Sequence, residues 1–139
     1  MNSKLLFFST FMLFLGTSIV AGNNTYNISG YGAKGDGTTM NTEFIQEAID
    51  ACHSNGGGTV YVPPGDFLLG SIILKSHVNL HLAPGATLLG STDLDDFQAT
   101  TPDFLTYAEV NYTDYSLIYA EKAENISITG QGTIDGQGE

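Results

Sequence analysis

Two carboxylates held in one cleft can divide the acid and base work of a hydrolysis, because their surroundings push their pKa values apart. The sequence offers one adjacent pair, Asp95-Asp96. No strand pattern encloses it and no histidine-bearing motif stands beside it, so it reads first as part of a solvated loop. Asp135, within Ile134-Asp135-Gly136, is the most tempting single acid. An aspartate before glycine ordinarily bonds its own backbone in a turn, and that is the role expected here. His53, His77 and His81 share no metal-ligand spacing. His77 and His81 are four apart, but in an expected strand rather than on a helix face, which argues against a zinc pair. No repeated Gly-Gly-x-Gly-x-Asp calcium pattern occurs. The single Cys52 excludes an internal disulfide and a multi-cysteine zinc site; it reads as buried packing on a helix, with a free thiol or an outside partner as the alternative. No catalytic, cofactor-binding or metal-binding residue is assigned to this chain, and no cofactor is expected.

Charge narrows the function classes further. Fifteen acidic residues face four lysines and no arginine, for a formal net charge of −11. Phosphate contacts need clustered Lys and Arg, so a nucleic-acid partner is excluded. No guanidinium exists to grip a carboxylate bidentately. Glycine is 17 of 139 residues, above the usual share of about 7 %. Many turns are therefore expected, as in a β protein. The length allows one domain at most.

The elements that must position any site follow from periodicity. Lys4 precedes an apolar run over Leu5–Phe8 and Phe11–Leu15, and small residues follow to Gly22. That is the layout of a cleaved secretory signal over residues 1–22, too short to span about 30 Å comfortably. Cleavage is expected near Ala21 or Gly22 and the mature chain is expected to be secreted, with no membrane association. Sequons stand at Asn23, Asn27, Asn111 and Asn125, and matter only in a eukaryotic secretory route.

Thr25–Tyr31 alternates and reads as a short strand, broken by Gly30, Gly32, Gly35 and Gly37, with a turn at Asp36-Gly37. Phe44, Ile45, Ala48, Ile49 and Cys52 recur at helical spacing. Asn41 is the expected N-cap, and Asn55 and Gly56 the left-handed close. Beyond Gly58 the period becomes two: Val60/Val62, Val78/Leu80/Leu82, Ala86/Leu88 and Ile126/Ile128 alternate with polar residues between Gly and Pro breaks. A circuit of about 20–25 residues would make this a solenoid, with the helix capping its apolar end. Residues 92–116, rich in Asp, Phe and Tyr, would be a loop inserted in one circuit. Periodicity alone leaves an antiparallel sandwich open.

Three stretches together resemble the pectin-lyase-like right-handed parallel β-helix proteins: Tyr31-Gly32-Ala33-Lys34-Gly35-Asp36-Gly37 with the helix after it, Gly56-Gly57-Gly58-Thr59-Val60-Tyr61-Val62-Pro63-Pro64-Gly65, and Leu74-Lys75-Ser76-His77-Val78-Asn79-Leu80-His81-Leu82 with Gly85–Ser91. The ending Asn125-Ile126-Ser127-Ile128-Thr129-Gly130-Gln131-Gly132-Thr133-Ile134-Asp135-Gly136-Gln137-Gly138 resembles glycoside hydrolase family 28, the polygalacturonases. The resemblance implies an all-β, three-sheet parallel β-helix with an N-terminal amphipathic capping helix. It also implies inverting hydrolysis of galacturonan or rhamnogalacturonan, with two carboxyls about 6.5–9.5 Å apart around a water. A pectic polysaccharide is then the substrate, and the full-length protein is expected to be a monomer.

The family's Asn-Thr-Asp, Gly-His-Gly and Arg-Ile-Lys strings do not occur. Ser91-Thr92-Asp93 and Tyr112-Thr113-Asp114 lack the asparagine, and Asp95-Asp96 lacks the strand context. Residues 23–139 are accordingly expected to be the N-terminal coils of an incomplete β-helix domain, inactive alone, with the catalytic residues beyond Glu139. A pectate lyase of the same superfamily and a non-catalytic polysaccharide-binding β-helix are the alternatives. The aromatic residues of the 97–115 stretch either stack on sugar rings or, the first reading, pack the loop onto the coil wall.

Overall fold

The computed structural model describes residues 24–100 and 114–138, so the proposed signal, Asn23, Asn111 and Tyr112-Thr113 lie outside the described residues. Ten short strands and one α-helix follow one another: β1 (Thr25–Asn27), β2 (Asp36–Met40), α1 (Thr42–Ser54), β3 (Gly58–Val62), β4 (Gly65–Leu69), β5 (Ile72–Ile73), β6 (Val78–Leu82), β7 (Ala86–Gly90), β8 (Ile118–Tyr119), β9 (Ser127–Gly130) and β10 (Thr133–Asp135). They form three parallel sheets, in the orders β1-β3-β6-β9, β10-β7-β4-β2 and β5-β8. Each circuit of the chain adds one strand to each sheet in turn, which is the right-handed parallel β-helix. An antiparallel sandwich is excluded, since every named strand pair is parallel.

Register explains the apolar alternation. Val60 lies beside Leu80, which lies beside Ile128 in the next coil. Phe67 lies beside Leu88, which lies beside Ile134. Inward residues thus stack in columns, and Val60, Leu80, Phe67, Leu69, Ile72 and Leu88 are buried. Each such side chain contributes roughly 1.5–3 kcal/mol through burial. The circuit from Val60 to Leu80 takes 20 residues, whereas the one from Leu80 to Ile128 takes 48. The excess is a loop between β7 and β8, where residues 92–116 were expected to provide one. Its described parts are a 3-10 turn at Leu94–Asp96 and an antiparallel bridge between Ala99 and Tyr115.

The corner leading into the first sheet repeats a left-handed residue in each coil: Gly57 (φ 100°), His77 (φ 67°) and Asn125 (φ 54°). Gly57 is also forced by space, because a Cβ there would stand 2.5 Å from the His77 carbonyl oxygen. His77 and Asn125 take the same conformation as single residues, and asparagine tolerates it best.

Several local expectations change. Only Thr25–Asn27 of the first segment is strand; Ile28–Tyr31 is a 3-10 turn closed by left-handed Gly32, because the chain must fold under the helix and bury Ile28. Asp36-Gly37, read as a turn, opens β2. The Asp36 side chain still makes the turn bonds, accepting from Thr38 N, Thr39 N and Thr39 Oγ1 at 2.7–3.0 Å. Asn55 keeps negative φ while Gly56 alone takes the left-handed close. Asn41 occupies the N-cap position but makes no capping bond. Its amide is consumed elsewhere, by the ends of the first coil.

That other use closes one end of the stack. Helix α1 packs on β1, β3, β5 and the 3-10 turn, burying Ile45, Ala48, Ile49 and Cys52. Asn41, 0 % exposed, donates to the carbonyls of Lys34, Thr39 and Leu68 and accepts from Lys34 N at 2.7 Å. Thr42 Oγ1 accepts from Gly70 N. Gln46 accepts from Ile73 N at 2.8 Å and donates to Ile73 O at 3.0 Å, standing where a neighbouring strand would pair with β5. His53 Nδ1–H donates to Ser76 O at 2.9 Å.

Candidate functional site

Sites on a solenoid are built where the circuits depart from their minimal length, because a longer connection can reach over a sheet face. Here that place is the loop between β7 and β8. Its two ends are tied to the previous coil by one buried hydroxyl: Ser71 Oγ donates to Ser116 O at 2.7 Å and accepts from Gln98 N at 3.1 Å. Ser91, at the loop's start, donates to Asp96 Oδ2 and accepts from Asp93 N at 3.1 Å. Asp93 in turn accepts from Asp95 N at 3.0 Å and caps the 3-10 turn. The loop is thereby held against the coil rather than hanging from it.

Between this loop and the end of β10 lies a cavity of about 600 Å³, walled by Ser91, Thr92, Leu94, Phe97, Tyr115 and Gln137. Gln137 Nε2 donates to Gly90 O, which fixes the wall on the β10 side. Tyr115 is 49 % and Leu94 64 % exposed. The first reading of the loop aromatics was packing on the coil wall; Tyr115 departs from it and faces open space, because its backbone pairs with Ala99 on the outer part of the loop. Phe97 is half-buried. The remaining aromatics, Phe104, Tyr107 and Tyr112, lie outside the described residues. A second cavity, of about 490 Å³, lies on the other side of the loop against the start of α1, with Met40, Glu43, Phe44, Asp95, Asp96 and Gln98 in its walls.

The structure does not bring the acids together as a catalytic pair. Asp95 is exposed in the 3-10 turn, and Asp96 is held by Ser91. Asp135 accepts from Gln137 N at 2.9 Å, which is the turn role expected of it. Asp114 lies across the hairpin, its carbonyl accepting from Thr100 N. Among the described residues no group of three or more His, Cys, Asp or Glu side chains is placed to hold a metal ion. His81 lies in β6, stacked on Tyr61 with ring centres 6.1 Å apart, and its Nδ1 is 2.9 Å from Thr129 Oγ1. His77 sits one residue before β6, with Nδ1 3.1 Å from Asn125 Nδ2, so the two histidines are not one ligand pair.

Electrostatic perturbations mark structural places. Hydrogen bonds from the Thr39 backbone and hydroxyl, then from Thr38, hold the Asp36 carboxyl far below the usual range. For Asp50, partial burial works against ionisation, but bonds from Lys75 and Gln46 outweigh it and lower the pKa. Lys75 Nζ lies 2.8 Å from Asp50 Oδ1. Burial raises the Cys52 thiol, as befits an inert core sulfur. Asn27 and Asn125 do not lie inside strands as expected: Asn27 ends β1 with Oδ1 accepting from Ser29 N, and Asn125 precedes β9. Both are exposed. Among the described residues no helix is long and apolar enough to cross a membrane.

No sequence signal pointed to Thr92, Leu94 or Gln137 as walls of one cavity, since the β7–β8 loop and the β10 end meet only through coil stacking. A family profile described as rhamnogalacturonase A/epimerase, pectate lyase-like, matches residues 25–137. An exo-poly-alpha-D-galacturonosidase of Dickeya chrysanthemi is 41 % identical over 128 residues, covering 88 % of this chain and 21 % of that protein. An exopolygalacturonase of Thermotoga maritima superposes with a TM-score of 0.70 at 36 % identity, over 84 % of this chain and 26 % of that one. A family 28 exopolygalacturonase of Yersinia enterocolitica gives 0.68 at 38 %, over 83 % and 21 %. The chain thus spans about a fifth to a quarter of the length of these relatives.

Proposed function

This chain belongs to the rhamnogalacturonase A/epimerase, pectate lyase-like family, and from that membership we propose that the whole protein is a pectin-degrading glycoside hydrolase that cleaves galacturonan by inverting hydrolysis. The observation that carries the reading is identity of 41 % to an exo-poly-alpha-D-galacturonosidase over nearly the full chain. In this reading the described coils are scaffold. They start the three sheets, and the reacting carboxylates are presented on coils that the relatives have in addition. That assignment agrees with the isolated environments of Asp95, Asp96 and Asp135.

The same reading makes residues 1–22 a secretory signal, so that the enzyme meets pectic polymers outside the cytoplasm. Fusion of residues 1–30 to an exported reporter, with N-terminal sequencing of the product, tests this; a reporter retained in the cytoplasm would sink it.

The activity test uses the longer protein on polygalacturonate, with reducing-end release and product stereochemistry as readouts. Reducing ends with inverted anomeric configuration are expected. Unsaturated products absorbing near the ultraviolet edge, lost with a chelator, would instead identify a lyase. Binding without cleavage would identify a non-catalytic β-helix. Residues 23–139 alone are expected to release nothing.

A further inference from the structure

We propose that the cavity between the β7–β8 loop and the end of β10 is a binding site for an uncharged sugar ring, distinct in chemistry from the galacturonate that the whole protein would cleave. Its volume of about 600 Å³ falls within the range of small-ligand sites, about 300–1,000 Å³. Phe97 and Tyr115 supply aromatic surface, against which the C–H face of a pyranose can lie. Thr92 supplies a hydroxyl. Gln137, anchored through Nε2 on the Gly90 carbonyl, keeps Oε1 as an acceptor for a sugar hydroxyl. Exposed Leu94 extends the apolar wall.

Charge selects the ring. None of the cavity's walls carries a charged side chain. The carboxylates of Asp93, Asp95 and Asp96 belong to the segment that forms one wall, and Asp135 directly precedes the opposite one. Lys75, the lysine nearest in sequence, is engaged by Asp50 beside α1 at the far end of the stack. A uronate carboxylate entering here would meet no cation and would lie among like charges, whereas a neutral ring loses nothing. The site would therefore hold a neutral unit or side branch of a pectic polymer.

The test compares two trisaccharides that differ only at C6: α-1,4-trigalacturonate and its carboxyl-reduced form, α-1,4-galactotriose. Binding to the full chain is read by saturation-transfer NMR and calorimetry at low salt. The neutral trimer is expected to bind at least tenfold more tightly. Tyr115→Ala should weaken it at least fivefold, while Tyr61→Ala on the outer face of the first sheet should leave it unchanged. Phe97→Leu, which keeps apolar bulk but removes the ring, covers the case in which a truncation disturbs the loop; circular dichroism and melting report the fold. Equal or tighter binding of trigalacturonate, no binding of either, or an undiminished affinity in folded Tyr115→Ala and Phe97→Leu would overturn the proposal. So would a dimer at assay concentration that Tyr115→Ala dissolves, since the cavity would then be a contact between copies. Polygalacturonate hydrolysis is measured separately, so the failure of either reading leaves the other standing.

Discussion

The two ends of the coil stack solve the same problem in different ways. A parallel β-helix leaves unpaired backbone groups and an apolar cross-section wherever it stops, and both invite pairing with something else. At the end beside α1, amphipathic packing covers the apolar cross-section, and side-chain amides replace the absent strand: Gln46 pairs with Ile73 and Asn41 with Lys34, Thr39 and Leu68. At the other end β8, β9 and β10 are the outermost strands of their sheets, and Ile128 and Ile134 are 46 % and 45 % exposed. These isoleucines continue the columns in which Leu80 and Leu88 are fully buried. Burial in this fold is therefore a property of position in the stack and not of the residue: the same inward orientation protects a side chain only when another layer lies over it.

That contrast can be broken most directly at Asn41. Asn41→Ala strands several buried backbone groups, each costing about 1–3 kcal/mol, so a loss of about 4 kcal/mol is expected from urea unfolding. A loss below about 1 kcal/mol would show that the closed end does not depend on side-chain amides. Next comes a matched pair in one column. Leu80→Ala should cost about 3 kcal/mol through the cavity it leaves, and Ile128→Ala below about 1 kcal/mol because much of its surface already meets water; equal costs would erase the distinction between the ends. Gln46→Leu should cost about 2 kcal/mol, since Ile73 N–H and C=O lose both partners at a half-buried edge. Hydrogen exchange at Ile73 should accelerate in that variant.

The smallest effect is expected at Asp36, which is solvent-exposed. Its folded pKa lies below its unfolded value near 3.8. The stabilisation is fully present above pH 3.8 and is lost as pH falls from there toward the folded value. Asp36→Asn should accordingly flatten the decline of the urea midpoint below about pH 4 and leave it nearly unchanged at pH 7. A decline as steep as that of the parent would show that the acid sensitivity lies with other carboxylates.

Much of this architecture was legible beforehand. Helix α1 announced itself through Phe44, Ile45, Ala48, Ile49 and Cys52, and β3, β6 and β9 through alternating Val, Leu and Ile, because both periods are local properties of the chain. Strand β2 was not legible: Asp36-Gly37-Thr38-Thr39-Met40 carries turn residues and little apolar pattern, and it becomes a strand only because β4 offers it a partner edge. Asn41 was misassigned for a related reason. Its position before the helix suggests a cap, but its amide meets stronger demand from Leu68, 27 residues away. The cavity left no trace in the sequence, since Phe97, Tyr115 and Gln137 belong to segments whose closeness depends on which coil lies over which.

By itself the sequence determined the acidic charge, the absence of arginine, the single helix, the short alternating strands and the motifs that tie the chain to its family. These rest on composition and on contacts within a few residues. Tertiary structure decided the register of the columns, the closing of one end by Asn41 and Gln46, and the meeting of the β7–β8 loop with the end of β10. Those depend on pairings between residues 20 to 48 positions apart, and a backbone group cannot show in its own identity which distant partner will satisfy it.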